Sequence, residues 1–177
     1  LVDYKTDGSA PTGNAKTQAL IEKFSFESKT LDPWTQFSVT GDQTWVVDTL
    51  HGVNNSYCAK MSGYSGGNLA NEDWLISPSF DFSFNANVKI QFHSAFNYDG
   101  TPIQLLVSTD YVSGAPSTGT WTDISSSAVL SPGSWTWTPS GYVALGVATN
   151  NVHVAFKYTS DLTAARTWEI DEVVLVG

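Results

Sequence analysis

The chain has 177 residues, 41% of them hydrophobic and 14% charged, with 17 Asp and Glu against 8 Lys and Arg for a formal net charge of −9. That length suits one domain that buries its own core without staples. So few and scattered cations exclude nucleic acid as a partner, no apolar run reaches the ~18 residues that span a bilayer, and the lone Cys58 cannot form an internal disulfide.

Residues 1–19, with Asp7-Gly8-Ser9 and Pro11-Thr12-Gly13-Asn14, are polar and turn-rich and read as a linker or loosely docked tail ahead of a domain over 20–177. The first residue is Leu1, not Met, which fits a signal or lipoprotein segment ahead of this numbering. Organisation starts at Leu20–Glu27, where Phe24 and Phe26 alternate with polar residues as in a half-buried strand that Asp32-Pro33 ends. Short strands follow at Trp34–Val39 and Thr44–Thr49 around the turn Thr40-Gly41-Asp42. A polar loop covers 51–56, and Tyr57–Met61 is a strand in which Cys58 is a small buried residue. The glycine-rich loop Gly63–Asn68 leads to Asn71-Glu72-Asp73-Trp74-Leu75-Ile76-Ser77-Pro78, whose three consecutive apolar residues predict a strand buried on both faces and stopped by Pro78.

Val88, Ile90 and Phe92 alternate with Lys89, Gln91 and His93, and Ile103, Leu105 and Val107 share an inward face. Trp121–Ile124 and Ser134–Thr138 predict two further strands. Val152, Val154, Phe156 and Tyr158 predict another, with His153 on its polar side, and Trp168–Val176 closes the domain. About ten strands spaced by turns, with no helical apolar period, predict an all-β jelly-roll β-sandwich of two antiparallel sheets.

Asn71-Glu72-Asp73-Trp74-Leu75-Ile76-Ser77-Pro78 resembles the signature of the choice-of-anchor J or cleaved-adhesin domains, bacterial surface modules distantly related to the MAM domain. Phe26-Glu27-Ser28, Gly41-Asp42-Gln43-Thr44-Trp45, Ala59–Tyr64, Leu106–Tyr111 and Trp168–Val173 match further pieces in family order. The resemblance implies a jelly roll at the cell surface or outside the cell, by lipid anchor or secretion, acting in adhesion or in binding a glycan or protein ligand. It also implies a structural calcium ion, with Glu27 and Asp171 as ligands. The loop after Glu27 lacks the dense Asp-Gly-Asp run of many cleaved-adhesin relatives.

Read from the residues, hard cations want several oxygen ligands, and acids here stand at strand ends and in loops, with Asp42 and Asp48 as further candidates. The alternative is that these acids are simply solvated. Carboxylate pairs such as Glu169 with Asp171, or Glu72 with Asp73, match a glycosidase only if they converge across a cleft. Gly63-Tyr64-Ser65-Gly66-Gly67 matches a nucleophile elbow in letters but lacks the strand-then-helix setting. His51, His93 and His153 lack metal-binding spacing. The chain therefore reads as a non-catalytic module.

Flat aromatic rings can stack on sugars, so Trp135 and Trp137, sharing one face of a strand, with Trp121 and Tyr98, are the candidate glycan contacts. A carbohydrate-binding module expects those rings exposed. A structural spacer expects them buried.

Overall fold

A computed structural model describes residues 18–177. Its strands are β1 (Leu20–Phe24), β2 (Thr35–Thr40), β3 (Val46–Asp48), β4 (Cys58–Ser62), β5 (Asn71–Ile76), β6 (Lys89–Asn97), β7 (Gln104–Ser108), β8 (Thr122–Asp123), β9 (Thr138–Pro139), β10 (Val143–Ala144), β11 (His153–Ser160) and β12 (Thr167–Val176). They form a jelly-roll sandwich of two antiparallel sheets, with no α-helix among the described residues. The tail read over 1–19 lies outside the described residues except for Gln18 and Ala19, and Ala19 is already hydrogen-bonded to Gly177.

In the larger sheet β12 is central, with β6 on one side. Its other side is shared by β4 along Thr167–Ile170 and β1 along Val173–Val176, and β3 lies beyond β4. The short β9 and β10 follow one another along β6. The smaller sheet runs β2-β5-β11-β7-β8.

Alternation places one set of side chains between the sheets. Ile90 and Phe92 from β6, with Trp168, Ile170, Val173 and Leu175 from β12, meet Leu75, Leu105, Val107, Val154, Phe156 and Tyr158 from the smaller sheet. Phe92 meets Phe156 edge-on at 5.0 Å between ring centres, and Trp34 stacks on the same ring at 5.8 Å. Each large apolar side chain so buried stabilises the fold by about 1.5–3 kcal/mol.

In β12 the core positions change parity, from Trp168 and Ile170 to Val173 and Leu175. A β-bulge makes the change: pairing with β6 slips between Asp171 and Val174, and Glu172 adopts a left-handed φ of 49°. Glu172 is the residue inserted into an otherwise regular alternation. The bulge sits where β4 hands over to β1 along β12, so Asp171 stands at a gap in the neighbouring strands.

β5 is buried on both faces, as its apolar run predicts. Leu75 faces the main core, while Trp74 and Ile76 join Leu106, Tyr111 and Ala155 in a second cluster on the outer side of the smaller sheet. That side is covered by the chain between β7 and β8. His153 is buried there, against the Tyr111 ring at 5.0 Å and the Ser77 carbonyl at 2.8 Å, although its strand position reads as polar.

One expected strand does not form as read. Over Ser134–Thr138, Gly133, Ser134 and Trp135 all take positive φ (106°, 54° and 57°), so the segment is a turn and only Thr138–Pro139 pair with β6. Trp135 and Trp137 therefore do not share a strand face.

Candidate functional site

The outer side of the larger sheet carries a groove of about 880 Å³. Lys60 and Ser62 of β4 and Thr167 of β12 form the floor. The walls are Tyr64 and Asn68 from the β4–β5 loop, Tyr98 and Asp99 from the β6–β7 turn, Trp135, and Thr163–Ala165 from the β11–β12 turn.

Three of these rings face solvent: Tyr64 is 59%, Tyr98 63% and Trp135 38% exposed. Tyr98 and Trp135 meet edge-to-face at 6.0 Å, and both have left-handed backbones that turn them out of their strand directions. Their supports are fixed. The Trp135 N–H donates to the Phe96 carbonyl at 2.9 Å, and Arg166 Nε donates to the Tyr98 carbonyl at 3.1 Å. Asn68 Nδ2 donates to the Thr163 carbonyl at 2.8 Å, tying two walls together, and Asp161 caps the N–H groups of Thr163 and Ala164. Such a surface offers apolar faces beside hydroxyl, amide, ammonium and carboxylate groups on a rigid frame.

Beside the floor, Lys60 Nζ lies 2.9 Å from Asp48 Oδ2 and 3.8 Å from Glu169 Oε1, while His51 Nδ1 is 2.9 Å from Asp48. The ligand-type atoms of Asp48, His51 and Glu169 lie within 4.8 Å of one another, but the lysine ammonium already supplies the positive charge there. The His51 and Lys60 bonds hold Asp48 well below the usual carboxylate range despite its burial. Burial, with Asp48 adding to it and Lys60 opposing, pushes Glu169 up to about 7.

The candidate aromatics therefore separate. Tyr98 and Trp135 line the groove. Trp137 is half-buried and donates from Nε1 to the His51 carbonyl at 3.0 Å, pinning its loop without lining the groove. Trp121 lies on the opposite side of the sandwich, 5.2 Å from Trp74 and 5.3 Å from Tyr111, its Nε1 bonded to the Pro116 carbonyl at 2.9 Å. Tyr64, which was not among the expected contacts, completes the groove. Its signal in the sequence is an aromatic in a glycine-rich loop, where nothing can cover it.

The candidate metal ligands also separate. Glu27 and Asp171 both dock on the loop that precedes β4, at the gap in the larger sheet. Glu27 Oε1 accepts from the Tyr57 N–H at 3.0 Å, and Asp171 Oδ2 accepts from the Val53 N–H at 2.9 Å and the Ser56 hydroxyl at 3.2 Å. Phe26 and Glu172, beside the two acids, and Asn54 and Asn55 in the loop all take left-handed φ. Asp171 is fully buried without a cationic partner among the described residues, and burial pushes it up to about 6. Asp171 also accepts the Glu172 N–H at 2.6 Å, so its buried carboxylate is hydrogen-bonded without being paired to a cation, and carboxylate oxygens are the donor type a hard cation takes. Asp42 does not join them. It is exposed at the other end of β4, beside Lys60, Tyr64 and Ser65.

Solved structures share this architecture. The K3 cleaved-adhesin domain of Lys-gingipain from Porphyromonas gingivalis W83 superposes with a TM-score of 0.65 at 15% identity, covering 90% of this chain and 99% of that one. The K1 domain of the same protein gives 0.62 at 19% identity, covering 87% and 96%. The CBM22-1 xylan-binding domain of Paenibacillus barcinonensis Xyn10C gives 0.55 at 16% identity, covering 92% and 97%. At these identities the likeness is one of fold, the jelly roll that the cleaved-adhesin resemblance implied. No curated protein sequence matches the chain. Residues 59–176, from the core of β4 to the end of β12, match a family described as Domain of unknown function (DUF5017), and the chain belongs to that family.

Proposed function

We propose that this chain is a non-catalytic, adhesin-like binding module that takes an extended glycan along the groove over its larger sheet, with Trp135, Tyr98 and Tyr64 as stacking platforms. The observation that carries the reading is the exposure of these rings beside Ser62, Asn68, Asp99 and Thr167. A sugar presents C–H faces to rings and hydroxyls to polar groups, and this surface offers both. The jelly-roll fold shared with a xylan-binding domain supports the same reading. Location at the cell surface or outside the cell, with a lipid anchor as one means of attachment, follows from this reading.

A polysaccharide array probed with the wild type, Trp135→Ala and Tyr98→Ala tests it. Each substitution is expected to weaken binding about tenfold, equivalent to about 1.4 kcal/mol. Unchanged binding in both variants, or no polysaccharide bound by the wild type, overturns the assignment.

A structural calcium ion held by Glu27 and Asp171 belongs to the same proposal. It would tie the end of β1 and the loop before β4 to the bulge in β12, fixing the fold rather than reacting. Melting in excess calcium is expected to exceed melting in chelator, since an ion that binds only the folded chain stabilises it by mass action. Asp171→Asn should abolish most of that difference, and an undiminished calcium response in this variant removes the ion from this junction.

A further inference from the structure

Beneath the Tyr64–Asn68 wall of the groove, one end of the sandwich interior is closed by polar residues. Asn71 and Asp73 share the inward face of β5 with Leu75, and they pair across the ladder with Ser160 and Tyr158. Asn71 is 3% and Asp73 1% exposed. The turn after β2 closes over them: a Cβ at Gly41 would sit on Asn71 Oδ1, and Trp45 Nε1 donates to the Asp73 carbonyl at 3.4 Å. Gln43 lies on the short stretch between those two contacts.

The hydrogen-bond accounting here is one-sided. Gln43 Oε1, Asn71 Oδ1 and both carboxylate oxygens of Asp73 are buried acceptors without a partner among the described residues. Several donors beside them bond other acceptors, although the Ser38 hydroxyl also reaches Asp73. Ser38 Oγ bonds the Gly41 carbonyl at 3.1 Å, Tyr158 Oη the Arg166 carbonyl at 2.7 Å, Ser160 Oγ the Leu69 carbonyl at 2.7 Å, and Asn71 Nδ2 the Leu69 carbonyl at 3.2 Å. Four buried acceptor oxygens at this closed end thus lack a donor, of which a proton on Asp73 would supply one and a single water two. A cation is the partner that an excess of acceptor oxygens over donors calls for.

We propose that Asp73, Asn71 and Gln43 form a buried site for a hard, oxygen-coordinated metal cation, distinct from the Glu27–Asp171 junction and placed behind the groove wall. A carboxylate and amide carbonyls are the donors that calcium and sodium take, and ligand charge sets the affinity. Burial pushes the Asp73 carboxyl up to about 6, with Ser38 opposing and Glu72 adding to the rise, the direction taken by a buried anion with no cationic side chain beside it among the described residues. The ion would lock the Gly41–Trp45 turn to β5 and so hold the loop that carries Tyr64 and Asn68.

Calorimetric titration of calcium into the metal-stripped full chain tests this, with the wild type beside Asp73→Asn, Asn71→Asp and Asp171→Asn. Asp73→Asn is expected to lose one calcium equivalent that Asp171→Asn retains, so failure of either site is seen apart from the other. Asn71→Asp adds a second carboxylate. It should tighten that equivalent about tenfold and melt higher than the wild type in excess calcium. Melts in sodium chloride and in choline chloride separate the two ions: a drop on removing sodium, absent in Asp73→Asn, assigns the site to sodium. The proposal is overturned if neither ion distinguishes Asp73→Asn from the wild type, or if Asn71→Asp is destabilised and calcium does not restore it.

Discussion

The two outer sides of this sandwich carry similar aromatic residues to opposite ends. On the smaller sheet, Trp74, Tyr111 and Trp121 are folded onto one another by the chain between β7 and β8, and the indole of Trp121 is hydrogen-bonded within that covering loop. On the larger sheet, Tyr64, Tyr98 and Trp135 stand on turns with no chain laid over them, above a floor of lysine and hydroxyl groups. An aromatic side chain stabilises a fold when a loop closes over it. It becomes a binding surface when the loop that carries it is turned outward and braced from behind. The covered side is a second small core, and the open side carries the proposed site.

The largest effect should come from the open side's charged residues. Lys60→Met strands Glu169, a carboxylate buried to 3% side-chain exposure, and removing one partner of a buried pair destabilises by about 3–5 kcal/mol; the partial exposure of Lys60 places the expectation near the lower figure. Denaturant melts measure it, and a loss below ~1 kcal/mol would mean that Glu169 is neutral in the folded chain. Trp121→Ala should follow at about 2–3 kcal/mol, because it opens the covered cluster while leaving the groove intact. If that variant lost glycan binding at unchanged stability, the assignment of the two sides would be reversed.

A pH series sharpens the contrast further. Glu169, at about 7 against an ordinary 4.5, and Asp73 and Asp171, at about 6 against 3.8, bind protons more tightly when folded. Their contribution is complete below the unfolded values and is lost as pH rises through the folded ones. Asp48 acts in the opposite sense, but its carboxyl is held so low that its contribution survives down to strongly acidic conditions. In chelator the protein should therefore melt higher near about pH 5 than near about pH 8, and a melting temperature that climbs across that window contradicts these directions. The smallest stability change belongs to Trp135→Ala, within about 0.5 kcal/mol, since its ring faces solvent.

The fold was legible because burial on a sheet leaves a period. Val88, Ile90 and Phe92 read as one inward face and are one, and the unbroken Trp74-Leu75-Ile76 run marks a strand covered on both sides. The junction of Glu27 with Asp171 was accessible only through the family resemblance, since nothing in the spacing of residues 27 and 171 says that β1 and β4 abut along β12. The aromatic site was half legible. Composition points to Tyr98 and Trp135, but the alternation that joined Trp137 to Trp135 fails because two consecutive left-handed residues follow Gly133. Grouping Trp121 with them fails because sequence does not say which side of a sandwich a loop covers. Gln43 and Asn71 gave no signal at all: an amide oxygen is uncharged, and only burial without a donor makes it conspicuous.

Ala19 pairs with Gly177 through N–H···O bonds of 2.8 and 3.0 Å at one pole of the sandwich. The groove lies at the other, where β12 begins at Thr167. Ten residues of extended chain separate them, about 30 Å at ~3.3 Å per residue. A load applied lengthwise along β12 would run between β6 on one flank and β4 and β1 on the other. Ladder bonds crossing that line of force are loaded together in shear rather than opened one after another, so the central strand would act as the domain's tension member.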